Sequence, residues 1–318
     1  KEKIIEALKK ALTALGIRGV EPILEFPAEL AHGDYATNVA LAAAKKAGKN
    51  PKVLAEEIVK TLGTIDGVSK IEVAGPGFIN FTLAREVYSS VLQKTGIEGD
   101  RWGQNDHVKG YQMMVEYTDP NPFKEFHIGH LMSNTIGESI SRLVDFCGAT
   151  VKRANYQGDV GPHVARALWG IKKLNIDPHD AASLGKAYVA GTEAYESDPT
   201  AKEEIEVLNA KIYDRSDDAV NKLYDVGRQT SLDRFEVLYK ILGTKIDFYF
   251  FESVTAPKGL ALVRAHAQVF EESDGAIVYK GEKVGLHTRV FVTSRGLPTY
   301  ETKDLGLAEL KQETWPFD

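Results

Sequence analysis

Pro120-Asn121-Pro122-Phe123-Lys124-Glu125-Phe126-His127-Ile128-Gly129-His130 is the stretch on which the fold turns. Before it runs the apolar segment Tyr111-Gln112-Met113-Met114-Val115-Glu116-Tyr117, and after it an apolar-periodic segment from Leu131 to Cys147. A strand, a loop carrying two histidines around a glycine, and then a helix is how a nucleotide-binding sheet presents groups to phosphate. Backbone N–H groups and the helix dipole at such an N-terminus already favour an anion. His127 and His130 can donate hydrogen bonds to phosphoryl oxygens as charge develops. Gly129 removes a side chain between them, which lets a flat base or ribose approach the backbone. An exposed histidine pair and an i,i+3 metal pair are the competing readings, and the metal pair lacks a third ligand at a known spacing. The junction therefore points to chemistry on ATP.

Outward from this junction the pattern is β-α-β. Strand 111–117 leads into a helix over 127–147, whose buried face is expected at Leu131, Ile136, Ile140, Leu143 and Val144. Gly148 ends that helix, and Val151 to Tyr156 supplies a second strand, parallel to the first because such crossovers are right-handed. Residues 162–242 read as mostly helical, with Ile205, Leu208 and Ile212 on one face of a charged stretch. Short strands at Phe248–Phe251 and Ala276–Tyr279 are expected to lie inside this interruption. Arg289-Val290-Phe291-Val292 is expected to resume the parallel sheet, followed by a helix over about 302–312.

Upstream, residues 1–100 read as a separate α/β module. Ile4, Ile5, Leu8, Leu12 and Leu15 recur at helical spacing, and Asn50-Pro51 combines a helix cap with a favoured first helical residue. Two strands, Ile71–Val73 and Phe78–Phe81, flank a Gly75-Pro76-Gly77 turn. The polar segment 96–110 is the linker candidate. The expected organisation is thus a small N-terminal α/β domain over 1–100 and the first part of a Rossmann-like parallel sheet over 101–162. A mostly helical insertion over 163–286 and a resumed sheet over 287–318 complete it.

Bulk properties agree with a multi-domain enzyme. The chain has 318 residues, 43% of them hydrophobic, and a net charge of −6, which argues against a broadly basic nucleic-acid coat but allows a local phosphate-binding surface. Cys147 is the only cysteine, which excludes an intrachain disulfide and a cysteine-based zinc site and fits a reducing, cytoplasmic setting. No apolar run reaches the ~18 residues of a membrane helix.

Three acidic or phenolic side chains complete the chemistry. Glu116 sits at the carboxyl end of a strand, where open α/β sheets place ligands. Tyr300 and Asp304 are spaced to share one face at a helix start. A carboxylate with a phenol suits a planar cation, since a carboxylate can hold one through two parallel hydrogen bonds. Taken alone, Asp304 is equally a carboxylate stabilised by its own helix dipole.

The histidine stretch resembles the HIGH signature of class I aminoacyl-tRNA synthetases. Glu116-Tyr117-Thr118-Asp119-Pro120-Asn121 followed by His127–His130 is similar to arginyl-tRNA synthetases in particular. Asn155-Tyr156-Gln157-Gly158-Asp159 and Leu297-Pro298-Thr299-Tyr300-Glu301-Thr302-Lys303-Asp304 resemble further blocks of that family. Gly33-Asp34-Tyr35-Ala36-Thr37-Asn38 and Gly75-Pro76-Gly77-Phe78-Ile79-Asn80 resemble its N-terminal domain. The blocks occur in family order along essentially the whole chain.

The resemblance implies arginine activation by ATP and transfer to tRNA(Arg), with Mg²⁺ bridging phosphates and no zinc. It assigns His127, His130 and Lys124 to catalysis on ATP, with Gly129 in the nucleotide site. Tyr300 and Asp304 are assigned to the arginine side chain, with Glu116, Asn121 and His130 also contacting arginine. Lys45, Lys46, Lys49 and Lys52 become candidate contacts to the tRNA elbow. The chain departs from the family at Thr118-Asp119, where serines are usual, and at Val160, where tryptophan is usual. Asp119 thereby brings an extra carboxylate towards an anionic substrate. The chain opens on Lys1 and stops at Asp318, short of a KMSKS-like loop and an anticodon-binding domain, so an incomplete, catalytically impaired N-terminal piece is expected, working as a monomer. The alternatives are another class I synthetase carrying a HIGH motif and a non-catalytic tRNA-binding fragment.

Overall fold

The computed structural model describes all 318 residues, the side chain of Lys283 aside. The chain divides into two compact units, Lys1–Trp102 and Gly103–Asp318.

In the first unit, helix α1 (Glu2–Ala14) packs Ile4, Leu8 and Leu12 inward, as their spacing requires. Strand β1 (Tyr35–Thr37) is followed by helices α2 (Val39–Ala47) and α3 (Pro51–Leu62). The Asn50 side chain caps α3 by accepting from Lys52 N at 2.9 Å, with Pro51 as the first helical residue. Strands β2 (Val68–Ala74) and β3 (Phe78–Leu83) complete an antiparallel sheet of order β1-β3-β2. Ile79 and Phe81 of β3 lie in one core with Leu8, Leu54 and Ile58. Helix α4 (Arg85–Glu98), which the sequence reading leaves unassigned, closes the unit and buries none of its residues.

The second unit opens with β4 (Gln112–Glu116), α5 (Ile128–Phe146) and β5 (Thr150–Gln157), a parallel crossover with Glu116 opposite Ala154. Four helices follow: α6 (Pro162–Leu174), α7 (Ala181–Ser197), α8 (Pro199–Asp214) and α9 (Asp218–Leu242). They share a core that includes Leu168, Leu184, Ile205 and Tyr224. Glycines set the closest approach: a Cβ on Gly170 would lie 2.0 Å from the Ala187 carbonyl oxygen.

Three sequence expectations are corrected here. Strand β6 (Phe248–Phe251) is not buried inside an insertion; it pairs in parallel with β5 as the third strand of the sheet, of order β4-β5-β6. Of its four aromatics, Phe250 is buried, Phe248 and Phe251 are half-buried and Tyr249 is exposed at the sheet edge. After helix α10 (Glu252–Ala265), strands β7 (Glu271–Ser273), β8 (Ala276–Tyr279) and β9 (Arg289–Val292) form a separate antiparallel sheet. Arg289–Val292 therefore does not resume the parallel sheet, and the expected division into 163–286 and 287–318 does not follow the strands. Strand β9 instead pairs antiparallel with β8, placing Val290 opposite Val278 and Arg289 opposite Tyr279.

The third correction concerns α5. Its inward residues are Asn134, Gly137, Glu138 and Ser141, while Ile136, Ile140 and Leu143, expected inside, are exposed, as is Met132 at 63%. The polar face wins because it makes the specific contacts. Gly137 lies so close to Tyr117 that a Cβ would meet its ring at 2.2 Å. Glu138 accepts from Tyr117 Oη at 2.5 Å, Arg142 Nε at 2.7 Å and Arg153 Nε at 3.0 Å. Helix α11 (Tyr300–Thr314) ends the unit, packed on α10.

Candidate active site

The loop after β4 is held in an unusual conformation by many bonds. Thr118, Asp119 and Phe123 all have positive φ, of 76°, 47° and 68°, in the left-handed region that non-glycine residues seldom occupy. Each is tied down. Thr118 N donates to Ser133 Oγ at 3.1 Å, and its hydroxyl accepts from Asn134 Nδ2 at 2.9 Å. Asp119 Oδ1 accepts from Tyr156 N at 2.7 Å, and Asn121 Oδ1 from Gly158 N at 2.8 Å. Phe123 N donates to Ser231 Oγ at 2.9 Å, and its buried ring lies over Gly227, where a Cβ would be 2.4 Å away. Two side chains expected near substrate thus serve as staples. Asp119 turns inward onto β5, and the Asn121 oxygen is engaged by the β5–α6 loop.

The two histidines cap α5 reciprocally. His127 Nδ1 accepts from Gly129 N at 3.1 Å, and His130 Nδ1 accepts from His127 N at 3.1 Å. Their rings stack with centroids 3.9 Å apart. A nitrogen that accepts carries no proton, so both imidazoles hold theirs on Nε2 and offer an N–H outward. Burial, then His127, then Lys124 push His130 down to about 4, so it is neutral at ordinary pH. Gly129 is needed for this arrangement: a Cβ there would lie 2.9 Å from His127 Cε1. The room it makes is used by the histidine ring. Lys124 sits over the Tyr188 ring at 4.9 Å.

Across the sheet edge, α11 is positioned by two glycines. A Cβ on Gly259 would be 1.8 Å from the Thr302 carbonyl oxygen, and one on Gly306 would be 2.2 Å from that of Thr255. This backbone-to-backbone packing of α10 on α11 carries the acidic group to its place. Asp304 is raised by burial first, then by Glu116 and Glu301. Asp119 is pushed up to about 7, by burial and by Glu116, against the bond from Tyr156 N and the charge of Lys311. Glu116, Asp119 and Asp304 therefore form one electrostatic cluster at the carboxyl edge of the sheet. Tyr300, on the first turn of α11, points outward and is 70% exposed, with Lys303 Nζ 5.2 Å from its ring centroid.

Several residues that the sequence reading did not assign complete the site. Lys303 and Glu252 form an ion pair at 2.6 Å with both side chains buried. Asp159, fully buried, accepts from Arg228 Nε at 2.8 Å and from Ser253 N and Oγ at 2.8 and 2.7 Å. His163 Nε2 lies 2.7 Å from the Gly158 carbonyl, to which it must donate, and burial pushes this imidazole down to about 4. Lys311 Nζ stands 2.6 Å from Glu116 Oε2. Lys311 had a legible signal, since it follows Asp304 by two helical turns and so shares its face. The others are joined only by tertiary contact.

A family model described as "Arginyl tRNA synthetase N terminal domain" matches residues 1–83, and one described as "tRNA synthetases class I (R), catalytic domain" matches residues 92–318. The chain is 28% identical to an arginine–tRNA ligase of Clostridium perfringens and 30% identical to one of Clostridium kluyveri, over all of its own length. It spans 57% and 56% of those two relatives. Among solved structures, it is similar to the arginyl-tRNA synthetase of Plasmodium falciparum (TM-score 0.62, 21% identity, 98% of this chain and 56% of that one). The Thermus thermophilus enzyme is similar in fold as well (TM-score 0.59, 24% identity, 99% of this chain and 53% of that one). The matches along both units place the chain in the arginyl-tRNA synthetase family of class I tRNA synthetases.

Proposed function

We propose that the protein to which this chain belongs is an arginine–tRNA ligase, and that the site described here binds L-arginine and ATP for activation. The observation that carries the reading is the placement of Glu116 and Asp304 at the same sheet edge as an α5 cap whose two histidines present Nε2–H groups. Asp304 takes the guanidinium, with Tyr300 closing over it from the same helix face. The arginine carboxylate attacks the α-phosphorus of ATP and pyrophosphate leaves. The 3′-terminal ribose hydroxyl of tRNA(Arg) then attacks the activated carbonyl, loses its proton, and the carbonyl–phosphate bond breaks to release AMP. His127 and His130 donate to the phosphoryl oxygens, and Lys124 adds positive charge, so catalysis rests on positioning and charge stabilisation. Mg²⁺ enters with the ATP phosphates as part of the substrate.

In this reading the protein works as a cytoplasmic monomer, and zinc has no part. Among the described residues no helix is long and apolar enough to cross a membrane. The lysines of the first unit contact the tRNA elbow, although Lys46 Nζ is bonded to the Gly19 carbonyl at 2.6 Å and Lys49 to Glu57 at 2.5 Å. Lys45 and Lys52 are the better placed of the four.

Calorimetric titration tests the site. L-arginine should bind, and citrulline, which replaces the guanidinium by a neutral urea, should bind roughly tenfold to a hundredfold more weakly. Asp304→Asn should remove that preference. Equal affinity for the two ligands would refute the pocket assignment. Pyrophosphate exchange by the full-length protein with tRNA present, driven by glutamate or lysine and not by arginine, would place it with another class I synthetase.

A further inference from the structure

We propose that Lys311 is a positioning residue of the acidic cluster: it pins the Glu116 carboxylate and acts as a built-in counter-cation, leaving the site a single free carboxylate for a single cationic side chain. The proposal deepens the arginine-pocket reading and rests on it for the identity of the ligand.

The geometry begins with α11. Tyr300, Asp304 and Lys311 share one helix face, because seven residues make almost two full turns. Lys311 reaches from this face to the end of β4, where its ammonium lies 2.6 Å from Glu116 Oε2. The two side chains are only 17% and 27% exposed, so solvent screens this pair less than a surface pair. Glu116 Oε2 is buried and lacks an aligned hydrogen bond, so the contact is charge pairing alone.

Without Lys311 the cluster would be self-defeating. Like charges within a few ångströms oppose one another's ionisation. Glu116 of β4 and Glu301 of α11 face Asp304 and raise it, while Lys311 and Lys303 lower it. From the neighbouring elements, Tyr156 of β5 and Glu252 of α10 feel the Asp304 charge in turn. Lys303 is already committed to Glu252 at 2.6 Å, which leaves Lys311 as the cation that serves the cluster. Asp119 is sensitive to Lys311 as well, and one of its oxygens is held by Tyr156 N. With Glu116 balanced by Lys311 and Asp119 turned onto β5, Asp304 is the carboxylate left for a guanidinium. A neutral ligand would then leave Asp304 unpaired, and a dication would bring a second charge with no partner.

Carboxyl ¹³C titration of the ligand-free chain tests this directly. Lys311→Met should move the Asp304 midpoint up by about one pH unit, and Lys311→Arg should hold it near the wild-type value. Lys258→Met removes a different tie on α11, the pairs from Lys258 to Glu309 and Glu313 at 2.9 Å, and should leave Asp304 unmoved. Glu116→Gln, with Lys311 intact, should lower the Asp304 midpoint and gives a second reading if Lys311→Met does not fold. An Asp304 midpoint unchanged in both Lys311→Met and Glu116→Gln overturns the proposal, as does an equal shift in Lys258→Met. In arginine titrations, Lys311→Met should move the loss of binding on acidification to higher pH by the same interval as the Asp304 midpoint. A wild-type chain that ignores arginine while the Asp304 midpoint still follows Lys311 would defeat the arginine reading and leave the counter-cation assignment standing.

Discussion

At the scale of single residues, protonation decides what the site can do. His130 is held neutral with its proton on Nε2 because its Nδ1 is spent on capping α5. Nitrogen-15 spectra should show the Nε2–H tautomer from pH 8 down to about 5, with a midpoint near 4. A midpoint above 6 would mean that the cap is not formed. Because the folded value lies below that of a free imidazole, the unfolded chain takes the proton first. The stability His130 contributes is thus lost as pH falls from about 6.5 towards 4. Asp119 behaves oppositely. Pushed up to about 7 from an ordinary value near 4, the folded state holds the proton longer, so stability falls as pH rises through that window. Asp119→Asn keeps the acceptor for Tyr156 N without the charge. It should be more stable than wild type at pH 8 by on the order of 1 kcal/mol, and the gap should close near pH 4 in urea unfolding.

At the scale of elements, close backbone approach positions the chemistry, and each approach has a glycine behind it. Gly259→Ala or Gly306→Ala should force α10 and α11 apart, costing about 1–3 kcal/mol or more in denaturant melts and displacing Asp304 from Glu116. Gly129→Ala should act differently, because the atom it meets belongs to a ring that can rotate. Its melt should stay within about 0.5 kcal/mol of wild type, while the His127–His130 stack and the upfield ring-proton shifts it produces disappear. If Gly129→Ala left those shifts intact, the stack would not depend on the glycine. Helix α5 shows the limit of periodicity at this scale. Its apolar spacing was legible, but spacing does not say what lies opposite. Gly137 against Tyr117 and Glu138 against Arg153 turned the polar face inward. Leu143→Lys in this chain should therefore cost under about 0.5 kcal/mol, where a buried leucine would cost several.

At the scale of the whole molecule, the two units each bury their own core. Residues 1–102 produced alone should show cooperative thermal unfolding by circular dichroism, and a broad non-cooperative melt would show that this core is insufficient. Much of the rest was readable from local chemistry. The Asn50-Pro51 helix start, the β4–α5–β5 crossover and the histidine pair at the start of α5 follow from propensity, capping and period, which act over a few residues. Spacing and resemblance named Glu116, Tyr300 and Asp304 as candidates. Tertiary structure alone decided that β6 joins the parallel sheet and β9 does not, because strand pairing joins distant segments. It alone turned Asp119 and Asn121 into staples and placed Lys311 beside Glu116. Burial and charge neighbourhood are properties of the packed chain, and they set which carboxylate is paired and in which direction each one's titration moves.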